Sequence, residues 1–221
     1  MIGSTQISVA VVDDDAAVRQ ALSRLLRSAG HNVQSFTCAQ EFLQSPALGN
    51  MGCLVLDVQL PDLSGLELQA ALERLEHAPA IVFITGYGDI PMTVRAMRAG
   101  AVDFLTKPCE ADVLLDAVAR ALRADAVQRS RQWEETVERT RLASLTQRER
   151  EVMRGVIAGL RNKQIAAELC ICEKTVKVHR AHVMEKVGVR SVAELVRIAA
   201  HITGSSSSNK IPPEPSVTLH C

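Results

Sequence analysis

No stretch of this 221-residue chain reaches the ~18 consecutive apolar residues that a membrane-spanning helix requires, so no membrane partner is expected. The first residues, Met1 to Gln6, are polar, and the apolar run after them is only one strand long. A secretory leader is therefore not expected. The 6 cysteines sit mostly within apolar runs and lack the regular spacing of a disulfide framework. They read as reduced thiols in a cytoplasmic protein, with Cys170 and Cys172 packed in the helical second half. Internal repeats are missing, and so is a net charge: 25 Lys+Arg balance 25 Asp+Glu.

The balance hides an asymmetry. Residues 1–125 hold 9 Lys+Arg against 15 Asp+Glu, whereas residues 146–201 hold 11 against 6. An acidic half joined to a basic half implies two jobs, with the basic half a candidate for nucleic acid.

In the acidic half, four short apolar runs end abruptly in polar residues. Ile7–Val12 ends in Asp13-Asp14-Asp15, Cys53–Leu56 in Asp57, Ala80–Ile84 in Thr85-Gly86, and Val102–Leu105 in Thr106-Lys107-Pro108. Runs of this length, bounded by turn residues, read as buried parallel strands. Asn32–Phe36 supplies a fifth. Helical patterns fall between them: Val18 to Leu26, a brief helix through Gln40–Leu43 capped by Thr37, a helix opened by the capping box Ser64-Gly65-Leu66-Glu67, one starting near Pro91, and one from about Glu110. The expected fold is α/β, a doubly wound five-stranded parallel sheet of the flavodoxin-like kind, followed by an all-α helix-turn-helix domain.

From 120 to 142 there is neither Gly nor Pro, and charges alternate with Ala, Val127, Trp133 and Val137. This predicts a helical linker over 124–144 rather than a flexible tether. Thr146-Gln147-Arg148-Glu149 is another capping box. After it come helices through Leu160, over Lys163–Leu169 with Asn162 as cap, over Lys174–Val187 after the turn Cys170-Ile171-Cys172, and from a box at Ser191 to about His201. The Ser and Pro content of 202–221 predicts a disordered tail. The expected domains are 1–123, the linker 124–144, 145–201 and the tail.

Parallel strands bring their carboxyl ends to one rim, where open α/β sheets bind ligands. That rim would collect Asp13, Asp14, Asp57, Thr85 and Lys107. Carboxylates suit Mg²⁺, a hard cation that keeps waters and phosphate oxygens among its ligands. A lysine and a hydroxyl complete the electrostatic parts of phosphoryl transfer onto Asp57. Each residue has a plainer reading. The acidic triplet caps a helix, Lys107 is a surface lysine, Thr85 ends a strand, and Phe104 is core. Asp13 and Asp15 also have the Asp-x-Asp spacing of haloacid-dehalogenase-type phosphatases, but Ala16-Ala17 replaces the Gly-Thr that continues that motif. Cys170, Cys172, His179 and His182 do not fit the common zinc-finger spacing.

The motifs Val11-Val12-Asp13-Asp14, Leu56-Asp57 with Pro61 and Gly65, Ile84-Thr85-Gly86 and Lys107-Pro108 resemble the receiver domain of two-component response regulators. Leu145–Glu149, Asn162–Ala166 and Thr175–His179 resemble the LuxR-type helix-turn-helix. Together they are similar to FixJ/NarL-type regulators. The FixJ branch is favoured by Gly86-Tyr87-Gly88-Asp89-Ile90-Pro91-Met92 and by Arg95–Ala101.

The resemblance implies a transcription regulator, not an enzyme. Asp57 would take a phosphoryl group from a sensor histidine kinase. Mg²⁺ would be held by Asp14, Asp57 and the carbonyl of Gln59, with Asp13 acting through water. Thr85 and Phe104 would be the switch pair, and Lys107 would contact the phosphoryl group. Phosphorylation would produce a homodimer. Promoter DNA would be read by the helix carrying Lys174, Thr175, Lys177, Val178, His179 and Arg180, with RNA polymerase as a further partner. Two positions depart from the family pattern: Cys172 where Ser is usual, and Ala181 where Lys is frequent.

Overall fold

The structure is a computed structural model that describes residues 7–75, 77–86 and 89–205. Five strands, β1 (Ser8–Val12), β2 (Asn32–Phe36), β3 (Met51–Asp57), β4 (Ala80–Thr85) and β5 (Asp103–Thr106), form one sheet in the order β2-β1-β3-β4-β5. All pairings are parallel. Helices α1 (Ala16–Ser28), α2 (Ala39–Leu43), α3 (Gly65–Leu72) and α4 (Ile90–Arg98) alternate with the strands, and α5 (Ala111–Ala143) follows β5.

The alternation of side chains along each strand sorts the core into two layers. Val12, Leu54, Leu56 and Phe83 face one side with Phe42, Leu68, Leu72 and Ala96 of α2, α3 and α4. Val9, Val11, Val55, Val82 and Ile84 face the other with Leu22 and Leu26 of α1 and Leu114, Val118 and Ala121 of α5. Every residue of β3 is buried, so this central strand is covered on both faces, as an apolar run without alternation requires. Each fully buried Leu or Phe contributes about 1.5–3 kcal/mol of transfer free energy.

Most sequence-predicted strand ends lie within two residues of the observed ones. Two helix caps differ. Thr37 does not cap α2. Its N–H and hydroxyl go to Glu41, at 2.7 and 2.8 Å. The free N–H groups of Ala39 and Gln40 are instead taken by the carboxylate of Asp62, at 3.2 and 2.8 Å. In the second half, Asn162 is the first residue of its helix rather than its cap, and its Oδ1 accepts from Arg180 Nη1 at 2.8 Å. The Gln164 side chain caps that helix through the Arg161 N–H at 2.8 Å.

The chain divides into two compact units between Ser130 and Arg131, inside the 33-residue helix α5. The expected linker 124–144 is helical as far as Ala143, and its side chains pack on both units. Arg129 donates to the carbonyls of Gly49 and Met51 at 2.9 and 2.8 Å in the first unit. Leu142 packs on the core of the second. The second unit contains α6 (Gln147–Ile157), α7 (Asn162–Glu168), α8 (Glu173–Val187) and α9 (Val192–Ser205). Leu145, Val152, Ile165, Val176, Val183, Val187, Leu195 and Ile198 fill its core. A Cβ at Gly155 would lie 2.8 Å from Ile165 Cγ1, so α6 and α7 approach closely there. Helix α9 continues past the expected boundary at 201, because no helix breaker precedes Gly204. The remainder of the expected tail, 206–221, lies outside the described residues, as do Tyr87 and Gly88 of the FixJ-like segment.

Candidate functional site

The carboxyl ends of β1 and β3 are neighbours at the point where strand order reverses, the usual ligand crevice of such a sheet. The register pairs Val12 with Leu56, so Asp13 and Asp57 leave adjacent strands side by side. Both are buried, at 0% and 7% exposure, while Asp14 is exposed. Oxygen atoms of the three carboxylates lie within 4.8 Å of one another. Lys107, just past β5, places Nζ 2.6 Å from Oδ2 of Asp13 and 2.6 Å from Oδ2 of Asp57.

The acidic triplet splits its roles. Asp15 caps α1, its Oδ1 accepting from Ala17 and Val18 N–H at 2.7 and 3.2 Å. Those bonds hold its carboxyl below the ordinary range. Asp13 turns inward and accepts from the Asp15 N–H at 2.9 Å. With Asp15 exposed and turned to its helix, Asp13 and Asp15 do not make the paired carboxylates of a phosphatase. Burial lifts the Asp13 carboxyl above the ordinary range, against the pull of Lys107. Burial alone would weaken the Lys107 ammonium, but its hydrogen bonds to the Asp13 and Asp57 carboxylates and their charges outweigh it and raise the group.

The surrounding backbone is built to fit. Gln59 N–H donates to Asp57 Oδ1 at 3.1 Å, so the loop after β3 folds back over the carboxylate. A Cβ at Gly65 would sit 2.6 Å from the Asp57 carbonyl oxygen, which makes glycine the residue that lets α3 start there. Arg19 donates to the carbonyls of Asp13 and Asp14 at 2.7 and 3.3 Å. Sequence reasoning missed Arg19, whose only signal was its place one turn into α1. Thr85 is fully buried at the end of β4, and its carbonyl accepts from Lys107 N–H at 2.7 Å. Phe104 is half-buried beside Phe83, ring centroids 5.9 Å apart.

The donor set is all oxygen, from three carboxylates with one ammonium against them. Such a set suits a hard divalent cation such as Mg²⁺ and not a soft metal. Among the described residues no other group of three or more His, Cys, Asp or Glu is close enough to hold a metal, so Cys170, Cys172, His179 and His182 form no zinc site.

In the second unit, α8 buries Val176, Val183 and Val187. Lys174, Lys177, Val178 and Ala181 share its outward face at helical spacing. The other expected contact residues are engaged differently. Thr175 Oγ1 lies 3.0 Å from the Cys172 thiol, Arg180 bonds Asn162, and His179 Nδ1 is buried without a hydrogen-bond partner. Glu149 is buried at the start of α6 and accepts from Lys186 of α8 at 2.7 Å, while completing its capping box with Thr146. Cys170 and Cys172, expected inside, are exposed, because Ile171 between them takes the inward position.

Among the described residues no helix is long and apolar enough to cross a membrane. Residues 9–119 match the family model of the response regulator receiver domain, and 143–199 match that of bacterial regulatory proteins of the luxR family. Nodulation protein W of Bradyrhizobium diazoefficiens is 50% identical over 196 residues, covering 89% of this chain and 86% of that protein. Transcriptional regulatory protein FixJ of the same organism is 44% identical over 197 residues, covering 89% and 96%. The solved structure of response regulator StyR matches with a TM-score of 0.79 and 49% identity over 88% of this chain and 98% of that one. A receiver-type sheet followed by a LuxR-type helical unit, in the order of these relatives and over nearly their full length, settles the family: the chain belongs to the two-component response regulators that control transcription through a LuxR-type DNA-binding domain.

Proposed function

We propose that Asp57 is the phosphoryl acceptor, and that its phosphorylation by a sensor histidine kinase promotes dimerisation and DNA binding. The observation that carries this is the position of Lys107, whose ammonium bridges Asp13 and Asp57 inside a three-carboxylate crevice. In the transfer, an Asp57 carboxylate oxygen forms the new P–O bond as the P–N bond of the kinase phosphohistidine breaks. Asp14, Asp57 and the Gln59 carbonyl, with Asp13 through water, would hold Mg²⁺, which would supply neutralising charge for the phosphoryl oxygens. Lys107 then releases part of its hold on Asp57 and contacts the phosphoryl group. Thr85 donates its hydroxyl to another phosphoryl oxygen, and Phe104 reports the change at β5. The added charge is satisfied only in that arrangement, so it shifts the receiver population towards it.

The output is α8 in the major groove of promoter DNA, with Lys174, Lys177 and Val178 as the residues that reach base edges. Arg180 supports this by fixing α7 against α8 through Asn162, and His179 and Thr175 lie at the margins of the face. A homodimer places two such helices on two half-sites, and RNA polymerase is the downstream partner.

The test is intact-mass analysis after incubation with a small phosphodonor and Mg²⁺. The wild type should gain one phosphoryl group and Asp57→Asn none. Equal labelling of both proteins refutes the assignment.

A further inference from the structure

The turn between α7 and α8 carries two exposed thiols that take no part in the proposed function. We infer that Cys170 and Cys172 form a peroxide-sensitive dithiol on the DNA-reading surface, with Cys172 as the attacking thiol and Cys170 as the one that resolves it. The inference rests on the proposal that α8 reads DNA, and deepens it by adding a second input to the same helix.

The cysteines with described surroundings differ sharply. Cys53 lies at 0% exposure in β3, where burial pushes its thiol far up. Cys38 and Cys109 are half-buried. Only Cys170 and Cys172 are exposed, and they flank Ile171, whose side chain packs on the helical core. An inward residue between two outward ones puts both sulfurs on the surface of one three-residue turn.

Cys172 is the N-cap residue of α8, a position where Ser, Thr, Asp or Asn would normally accept from the helix N–H groups. The thiol makes no such bond and sits 3.0 Å from Thr175 Oγ1. The Thr175 hydroxyl beside it holds it below the ordinary thiol range. Lys174 and Lys177 are exposed on the following turn. A partly exposed thiol in an electropositive setting is the kind that reacts as thiolate. Cys170, two residues earlier, adopts φ 52°, a conformation costly for a residue with a side chain. Its Sγ lies 3.9 Å from the Ala167 carbonyl, so at rest the two sulfurs are held by different helices.

The chemistry balances in two steps. The Cys172 thiolate attacks a hydroperoxide. The O–O bond breaks, sulfur is oxidised by two electrons to the sulfenic acid, and hydroxide leaves. The Cys170 thiol then attacks that sulfur, forming the S–S bond and releasing water. Closing so short a loop draws Cys172 away from Thr175 and re-forms the turn. The first turn of α8, with Lys174 and Lys177, then loses its placement against DNA.

The experiment uses the full chain in a Cys221→Ser background, with hydrogen peroxide as oxidant, dimedone as the sulfenic-acid trap, and a DNA duplex selected from a random pool by the reduced protein. Peptide mass analysis should show dimedone on Cys172, and, without dimedone, a Cys170–Cys172 disulfide within one chain. DNA affinity should fall about tenfold or more, the equivalent of losing one good base contact, and return with dithiothreitol. Cys172→Ser should bind DNA at least as well as wild type, since Ser is the better cap, and should ignore peroxide. Cys170→Ser should accumulate the dimedone adduct on Cys172. Labelling at Cys38 or Cys109 in place of Cys172, a disulfide between chains, or equal peroxide sensitivity in Cys172→Ser overturns the inference. If the disulfide forms as described and DNA affinity does not change, the chemistry stands but its regulatory role is refuted. The reduced protein's selection of DNA separately checks the reading of α8.

Discussion

Replacing Lys107 by Met removes one positive charge from between two buried negative ones while keeping the length and much of the bulk of the side chain. At an effective dielectric constant of ~20, an ion pair at the 2.6 Å separations seen here represents about 6 kcal/mol of raw attraction. Most of that is offset by the desolvation of all three groups. The better guide is the cost of leaving a buried charge unpaired, about 3–5 kcal/mol. The Lys107 side chain is 19% exposed and that of Asp57 10%, so water recovers part of the loss, and about 2–4 kcal/mol of destabilisation is expected. For a unit of this size that lowers Tm by on the order of 10 °C. The sign reverses for the metal. Without the ammonium, a divalent cation meets less repulsion and is the main remaining neutraliser, so Mg²⁺ should stabilise Lys107→Met more than it stabilises wild type. Calorimetry of both proteins in EDTA and across a Mg²⁺ titration measures the two effects. A second comparison, in an Asp13→Asn background, should shrink the cost of Lys107→Met, because one of the two carboxylates is already neutral. If Lys107→Met melts within about 1 °C of wild type in EDTA, a shift far below the expected one, or if Mg²⁺ stabilises both equally, the bridging ammonium does not do what the geometry says.

Two further predictions concern the helical unit. The Glu149 carboxyl is pulled down to about 2, first by Lys186 and then by the Thr146 N–H, so its contribution is fully present above the ordinary value of 4.5 and is lost as pH falls towards 2; Glu149→Gln should flatten the acid unfolding of this unit across that window, and an unchanged acid titration counts against the Glu149–Lys186 link. On DNA, Lys177→Ala should cost about 1–3 kcal/mol and relax preference at one base pair; a uniform loss on every point-varied operator, with the salt slope smaller by about 1, identifies a phosphate contact instead.

What could be read from the sequence follows physical range. Strands β1, β3 and β4 were legible because a strand buried on both faces must be a nearly unbroken apolar run, and because each run stopped at a polar residue. The capping boxes at Ser64 and Thr146 were legible because both partners lie within one turn, and both are formed. Asp62 was not, because it caps α2 from more than 20 residues away and only the folded sheet brings it there. Asn162 misled for a related reason. Its residue type suits a cap, but its partner, Arg180, is on the next helix. That Lys107 shares a rim with Asp13 and Asp57 was legible from the strand ends, but its bridging of the two carboxylates was not, since no local pattern links residue 107 to residues 13 and 57. Cys170 and Cys172 were misplaced because their apolar neighbours suggested burial, whereas in so short a turn the inward place goes to one residue only, and Ile171 has it.

The outward face of α8 also sets an energetic limit. It offers Lys174, Lys177 and Val178 with the small Ala181, because Arg180 is held by Asn162 and Thr175 by the Cys172 thiol. At about 1–3 kcal/mol of discrimination for each good bidentate base contact, which Lys174 and Lys177 can make and Val178 cannot, the two lysines give on the order of 4 kcal/mol. Specific sites stand about 4–10 kcal/mol above non-specific DNA, so one copy of this helix reaches only the lower end of that range. Two copies on two half-sites reach its upper part without any new residue. The scarcity of free side chains on α8, more than any feature of the receiver, is therefore the physical reason why dimerisation would make a useful output for phosphorylation at Asp57.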